Sequence, residues 1–427
     1  MVENFDVIIV GAGPAGVAAG ITTAKAGLKT AILERGDFAG SKNMFGGIVY
    51  TKPTAEIVPE FWKTAPIERR VLEYQYWLMS EDSHVQIAHR NQKFVKDFNA
   101  FTALRARFDK WFAQQAEASG ATLLTRTTVT GVLRNAEGAI NGVSTDRGDL
   151  TANVVIACDG VNSLVSKGAG LHDEWKPEDI ALSVKETYSL PKEKIEDRFN
   201  IRGDEGVTIM IYGGRREEYA GFIYTNKDTI SFGMGAIMSD LAANKTRPQD
   251  VLEWIKSHPS VKPLIEGAAL REYTAHLIPE GGYDKIPPLY TNGMMVAGDA
   301  AMLVNALNWE GTNFAMISGK YAGQTAIEAK KANNYSAAQL SSYRRYLENC
   351  FVLKDLKKFR QIPQFIARNR QYLTVYPEIM NDALYKFFEV DGRPKEEHLK
   401  EIKDELFTKR GRIRLLRDLY GLYRRAT

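Results

Sequence analysis

Cysteine is scarce in this 427-residue chain, which carries only Cys158 and Cys350. Two thiols exclude a four-cysteine metal cluster and a disulfide framework, and leave at most one bridge between distant segments. A reducing, cytoplasmic compartment is expected. Long apolar runs are also missing. Val7 to Val10 and Met294 to Ala297 fall far short of the ~20 residues that a bilayer crossing needs, so any membrane contact is expected to be peripheral. Met1 leads into a strand pattern with no charged and apolar leader before it, so no secretion signal is expected. The six histidines, His84, His89, His172, His258, His276 and His398, show no ligand-like spacing. No metal site and no catalytic acid or base is expected from them, and His276 is the first to examine. The net charge of +4 is mild and its basic residues concentrate at the C-terminal end without a recognised binding motif, which argues against nucleic acid as a partner.

With 44% hydrophobic and 25% charged residues, the composition is that of a globular protein of two or three domains. Its first segment reads strand, glycine turn, helix, strand: Phe5 to Val10, Gly11-Ala12-Gly13-Pro14-Ala15-Gly16, a helix to about Ala26, then Lys29 to Leu33. The spacing GxGxxG is weak alone but directive in this βαβ setting. Gly11 permits the tight turn, Gly13 lets backbone amides approach a pyrophosphate, and Gly16 allows close packing of helix on strand. Glu34, at the end of the next strand, is placed to accept ribose hydroxyls.

That motif does not separate FAD from NAD; later segments favour FAD. Gly298-Asp299-Ala300 after a strand resembles the second flavoprotein signature, whose aspartate binds ribitol, and Gly311 and Thr312 would offer helix-start amides to the isoalloxazine. Cys158-Asp159-Gly160, with Ser163 beyond, resembles the DG motif of the para-hydroxybenzoate hydroxylase type of fold, and Arg105 stands where that fold often contacts the pyrophosphate. Ala15, Arg35, Asn43, Met44, Gly46, Val129 and Gly160 complete the expected cofactor contacts.

Longer strings carry a more specific resemblance. Ser41-Lys42-Asn43-Met44 with Gly46-Gly47, Asp197 to Ile201 with Glu205-Gly206, Tyr224 to Asp228, Ser257-His258-Pro259-Ser260-Val261-Lys262-Pro263 and Ile278-Pro279-Glu280-Gly281-Gly282 look like the electron-transfer flavoprotein:quinone oxidoreductases. They resemble still more closely the FixC (EtfC) subunits of electron-bifurcating flavoprotein complexes. The resemblance implies FAD-dependent electron transfer from electron-transfer flavoprotein alpha and beta subunits to menaquinone or ubiquinone. It also implies that the iron–sulfur function of the longer relatives, which needs cysteines this chain lacks, sits on a ferredoxin-like subunit. Tyr219-Ala220-Gly221 stands where those relatives have a quinone-lining Tyr-Gly-Gly, so Tyr219 and Gly221 are expected quinone contacts with a methyl group between them. Alternatives from the same fold are a geranylgeranyl reductase or an aromatic hydroxylase, and from another class a non-catalytic flavin-bearing scaffold.

The expected fold is α/β with an α+β insert. A Rossmann-like FAD domain of the hydroxylase and geranylgeranyl reductase type takes residues 1–60, 100–175 and 286–335. An antiparallel-sheet substrate domain takes 61–99 and 176–285, and a helical region takes 336–427. In that last region Lys409, Arg410, Arg412, Arg414, Arg417, Arg424 and Arg425 face one acid, Asp418, while Leu415, Leu416, Leu419, Tyr420 and Tyr423 recur at helical spacing. This basic amphipathic helix either packs on the body or lies on the inner face of an anionic cell membrane.

Overall fold

The structure, a computed structural model, describes residues 4–42, 47–215 and 219–426. Asn43, Met44 and Gly46, expected to touch FAD, lie outside the described residues. Asn4–Val10 is apolar nearly throughout and buried, the pattern of a strand covered on both faces. It pairs in parallel with Gly148–Ala157 on one side and Thr30–Leu33 on the other. Met294–Val296 and Thr122–Leu124 extend the parallel sheet outward, and Tyr290–Thr291 closes one edge antiparallel. Gly148–Ala157 serves two purposes along its length. Its more exposed first half pairs with the hairpin Val129–Arg134 and Ile140–Thr145, and its buried second half enters the parallel sheet.

Helices Pro14–Lys25 and Thr312–Ala332 approach each other closely because glycine faces backbone. A Cβ on Gly319 would stand 1.9 Å from the Ala15 carbonyl oxygen, and one on Gly16 would stand 1.9 Å from that of Gly11. The glycine turn is thereby wedged between two helices and two strands.

The second sheet has nine strands. Ala269–Pro279, Ile180–Ser189, Thr229–Ile237, Ala220–Thr225, Glu205–Gly213, Arg70–Met79, Ala100–Thr102 and Ile48–Tyr50 lie in that order, with His84–Arg90 also on Arg70–Met79. Two features depart from the sequence expectation. Glu205–Gly213 and Arg70–Met79 pair in parallel within an otherwise antiparallel sheet. Ile48–Tyr50 and Ala100–Thr102, read from sequence with the FAD-binding segments, pair with each other at this sheet's edge, because each is a three-residue stretch whose partner is set by tertiary contact. Helix Pro248–Ser257 covers the rear face through Val251, Leu252 and Ile255.

Arg69 plugs the end of this sheet. Its side chain is fully buried and donates to the carbonyls of Asn226 (2.6 Å), Gly203 (2.9 Å), Glu205 (3.1 Å) and Lys227 (3.2 Å). Past residue 336 the chain is helical. The Tyr343 hydroxyl, fully buried, donates to the Val296 carbonyl (2.9 Å) and docks helix Ser342–Asn349 on the first sheet. Helix Gln371–Phe388 docks on the second sheet, where the Asn381 amide donates to the Leu78 carbonyl (2.9 Å). No helix among the described residues is long and apolar enough to cross a membrane.

Candidate cofactor and substrate site

A cavity of about 770 Å³ lies between the two sheets and reaches the C-terminal helices. Its nucleotide end is built from backbone. Gly11 takes φ +100°, where a side chain would strike the Cys158 carbonyl at 2.3 Å. Gly13 caps helix Pro14–Lys25 with no side-chain capping bond, lines the cavity, and has nothing within 4 Å of a would-be Cβ. That open amide surface is what a pyrophosphate needs. The Glu34 carboxylate accepts from the Ala12 (3.1 Å) and Gly36 (2.6 Å) amides, which fixes it beside the turn with lone pairs to spare. Arg35 is exposed, yet its charge reaches Asp159 and His276. Val129 follows a segment tied to the same place, where Arg126 and Thr127 amides donate to the Gly36 and Glu34 carbonyls.

The opposite wall holds two aspartates. Asp159 accepts from the Val165 amide (2.8 Å) through one oxygen, while the other is buried and without a partner, and burial pushes the carboxyl up to about 6. Gly160 takes φ +73° and lines the cavity. Ser163 is spent on structure, its hydroxyl donating to the Ala300 carbonyl (3.0 Å) and so joining the two aspartate loops. Asp299 lines the cavity after Gly298 and is raised to about 6 by burial against the pull of Arg105. Arg105 also lines it, with Nε and Nη2 gripping the Asp109 carboxylate at 2.7 Å each. Gly311 and Thr312 open helix Thr312–Ala332 toward the cavity without a side-chain cap. An orphaned Asp159 oxygen, an open Gly13 and uncapped starts on two helices fit a dinucleotide laid between them.

The other end is aromatic and apolar. Tyr212, Phe222 and Tyr224 line it from the sheet, with Trp309 packed edge-on against Tyr212 (6.1 Å) and Phe222 (6.3 Å). Trp309 holds φ +57°, a left-handed conformation unusual for a bulky residue. Helix Ile362–Arg368 adds Ile362, Pro363 and Ile366. The expected quinone contacts need correction here. Strand alternation turns Ala220, Phe222 and Tyr224 to the cavity, while Gly221 faces the rear, its would-be Cβ 3.1 Å from Ile211 and 3.3 Å from Ile255. Tyr219 borders the cavity, but its hydroxyl donates to the Gly213 carbonyl (2.6 Å). Tyr219 and Ala220 are the members of that tripeptide that line the cavity, and Gly221 is the one that does not.

Sequence reasoning missed Tyr212, Trp309, Glu280 and the Ile362–Arg368 helix, all brought in by tertiary packing. His276 does line the cavity, where burial and the charges of Arg105 and Arg35 lower it to about 4. Both cysteines are free. Glu389, Asp391 and the buried His398 come together, yet Arg393 already pairs with Asp391 (2.6 Å), and no metal is assigned there.

A family model described as FAD dependent oxidoreductase matches residues 6–348, which with this site defines the class: the protein is an FAD-dependent oxidoreductase. A second model, the ETF-QO/FixC family C-terminal domain, matches residues 362–426, and the chain belongs to that family. Protein FixC of Azorhizobium caulinodans is 46% identical over 402 residues, 92% of each chain. Protein FixC of Bradyrhizobium diazoefficiens is 42% identical over 429 residues, 99% of each. YdiS of Escherichia coli, described as a probable electron transfer flavoprotein-quinone oxidoreductase, is 39% identical over 422 residues, 97% of each. Among solved structures, a geranylgeranyl bacteriochlorophyll reductase-like protein of Thermoplasma acidophilum superposes with TM-score 0.69 at 21% identity, covering 95% of this chain and 99% of its own. A flavin-dependent brominase follows with TM-score 0.65 at 17% identity, covering 95% and 100%. These two likenesses are of fold.

Proposed function

We propose that this chain, through FAD, passes electrons from an electron-transfer flavoprotein to a quinone, menaquinone or ubiquinone, as the quinone-reducing branch of a bifurcating complex. FAD supplies a carrier that takes electrons singly and releases a pair. The chain's residues bind, orient and shield it. The observation that carries the reading is the continuity of one cavity. It begins at Gly13 and Thr312, where FAD is expected, and ends on Trp309, Ile362, Pro363 and Ile366, an apolar wall partly contributed by the ETF-QO/FixC domain. A flat, apolar, redox-active ring suits that wall. Two cysteines are too few for a cluster, so a ferredoxin-like subunit is the proposed iron–sulfur partner.

The tail supports a site of action at a membrane surface. In helix Arg412–Ala426, Ile413, Leu416, Leu419, Tyr420 and Tyr423 are all more than half exposed, with Arg412, Arg414, Arg417 and Arg424 exposed beside them. Leu415 is half-buried, and the buried Asp418 anchors the helix, accepting from Arg410 (2.5 Å) and Tyr376 (2.8 Å). The apolar face is therefore offered outward, toward the inner face of the cell membrane in this reading. The test is anaerobic. Protein reduced with dithionite should be reoxidised rapidly and stoichiometrically by a soluble menaquinone or ubiquinone analogue, and failure with both overturns the proposal.

A further inference from the structure

Reducing a quinone to a quinol takes two electrons and two protons, and the wall that would hold the ring is aromatic and apolar. The Pro279-Glu280-Gly281-Gly282 turn interrupts that wall. It follows strand Ala269–Pro279, and its backbone is pinned by the Glu280 amide donating to the Asp179 carbonyl at 2.8 Å. On its far side Gly282 abuts Pro363, with a would-be Cβ 3.6 Å from Cγ, so the turn joins the second sheet to the C-terminal domain. Glu280 lines the cavity, and its carboxyl has no hydrogen-bond or ion-pair partner among the described residues. Half-buried and facing cavity space, that carboxyl is free to meet a ligand there. Burial pushes it up to about 8, so it carries a proton at neutral pH.

We propose that Glu280 is the proton donor to the cavity's substrate, a reading that rests on quinone reduction as proposed above. Reduced FAD, when bound, would supply two electrons and one proton, so the second proton must come from this chain. The Glu280 O–H bond breaks as a quinol O–H bond forms, and the carboxylate left behind regains its proton from water. Glu178, exposed at the cavity margin, marks the side from which water reaches the turn. Other groups there are committed or distant in titration. Asp179 pairs with Lys285 (2.9 Å), burial drives the Tyr212 hydroxyl far up, and Arg368 and Arg370 line the same cavity. His276, on the strand that leads into the turn, is lowered to about 4 and so lacks the imidazolium proton at pH 7.

The experiment compares wild type with Glu280→Gln as holoenzymes, with flavin content and thermal midpoint as fold controls. Reoxidation of the dithionite-reduced proteins is followed against pH with a soluble quinone analogue and with ferricyanide, which takes electrons without protons. The expected result is a fall of ~100-fold or more in the ratio of quinone to ferricyanide rates at pH 7, with partial rescue by Glu280→Asp. Independently, infrared titration should show a protonated-carboxyl band in wild type that is absent from Glu280→Gln and fades near pH 8. Unchanged rate ratios and pH profile in Glu280→Gln, or no such band, overturn the assignment while leaving quinone reduction standing. A wild type inert to quinone but reactive with ferricyanide overturns both.

Discussion

Two carboxylates of the second sheet, Glu186 on strand Ile180–Ser189 and Glu280 just past the end of the neighbouring strand Ala269–Pro279, face opposite ways. Glu186 points to the rear, where the Tyr188 hydroxyl donates to it at 2.5 Å and the Lys256 ammonium stands at 3.0 Å. Glu280 points into the cavity with neither. Glu186 is buried and Glu280 half-buried against the cavity, so the two differ in provision as well as in enclosure. At the rear, helix Pro248–Ser257 supplies the counter-charge of Lys256, and Tyr188 on Glu186's own strand supplies a hydroxyl. In the cavity it leaves Glu280, and likewise one Asp159 oxygen, for something else to complete. Polar groups that hold the fold arrive paired; those that serve a ligand stay open until it binds.

The largest effect should come from breaking the paired class at its extreme. Arg69→Leu strands four backbone carbonyls that now share one guanidinium, and should lower stability by about 3 to 5 kcal/mol, read from the denaturant midpoint. Glu280→Gln should cost the fold nothing. A comparable loss in both variants would erase the distinction.

Glycines sharpen it next. Gly16→Ala drives a methyl group to 1.9 Å from the Gly11 carbonyl oxygen, so the turn must shift and both stability and FAD retention should drop. A Cβ on Gly311, as in Gly311→Val, meets nothing closer than Val304 Cγ2 at 3.7 Å, and its backbone φ of −122° is not in the left-handed region that favours glycine. The apoprotein should keep its stability within about 0.5 kcal/mol, while FAD affinity falls tenfold or more, about 1.4 kcal/mol. Differential scanning of apoprotein and flavin titration separate the two outcomes.

Then comes pH. A carboxyl raised to about 8 when folded, against roughly 4.3 unfolded, is protonated only in the folded state between those values. The folded protein there holds more protons, so this contribution to stability is full at low pH and is lost as pH rises toward 8. The thermal midpoint of Glu280→Gln minus that of wild type should widen from pH 5 to pH 8.

Local chemistry was legible in the sequence, and tertiary choice was not. Gly11, Gly13, Gly16 and Glu34 could be placed because strand, turn and helix are contiguous there. The strings His258-Pro259 and Pro279-Glu280-Gly281-Gly282 looked equally specific, yet they part ways in space. His258 is buried behind the sheet, where its Nδ1 accepts from the Ser260 amide (3.1 Å) and closes a helix, while Glu280 lines the cavity. Nothing in either string says which face it will meet. The same limit misplaced Gly221, since one residue of strand register decides between Ala220 in the wall and Gly221 behind it. The absence of a partner for Glu280 is a fact about other strands and helices, so no reading of its neighbours in sequence reveals it.

The tail offers the smallest expected effect on the fold and so the cleanest separation of fold from function. Leu416 and Leu419 are 67% and 61% exposed, and trimming them removes little buried surface. Leu416→Ser with Leu419→Ser should leave the folding stability, followed by the thermal midpoint, within about 0.5 kcal/mol of wild type. On anionic vesicles the same side chains would be buried, at ~1.5 to 3 kcal/mol each, so binding measured by co-sedimentation should drop by tenfold or more. Asp418→Asn is the complementary variant. It keeps the apolar face but weakens the anchor to Arg410 and Tyr376, so the helix should loosen from Gln371–Phe388 without losing its taste for lipid. If the serine pair binds vesicles as wild type does, the exposed face belongs to a protein partner instead, and the arginines beside it become that partner's recognition surface.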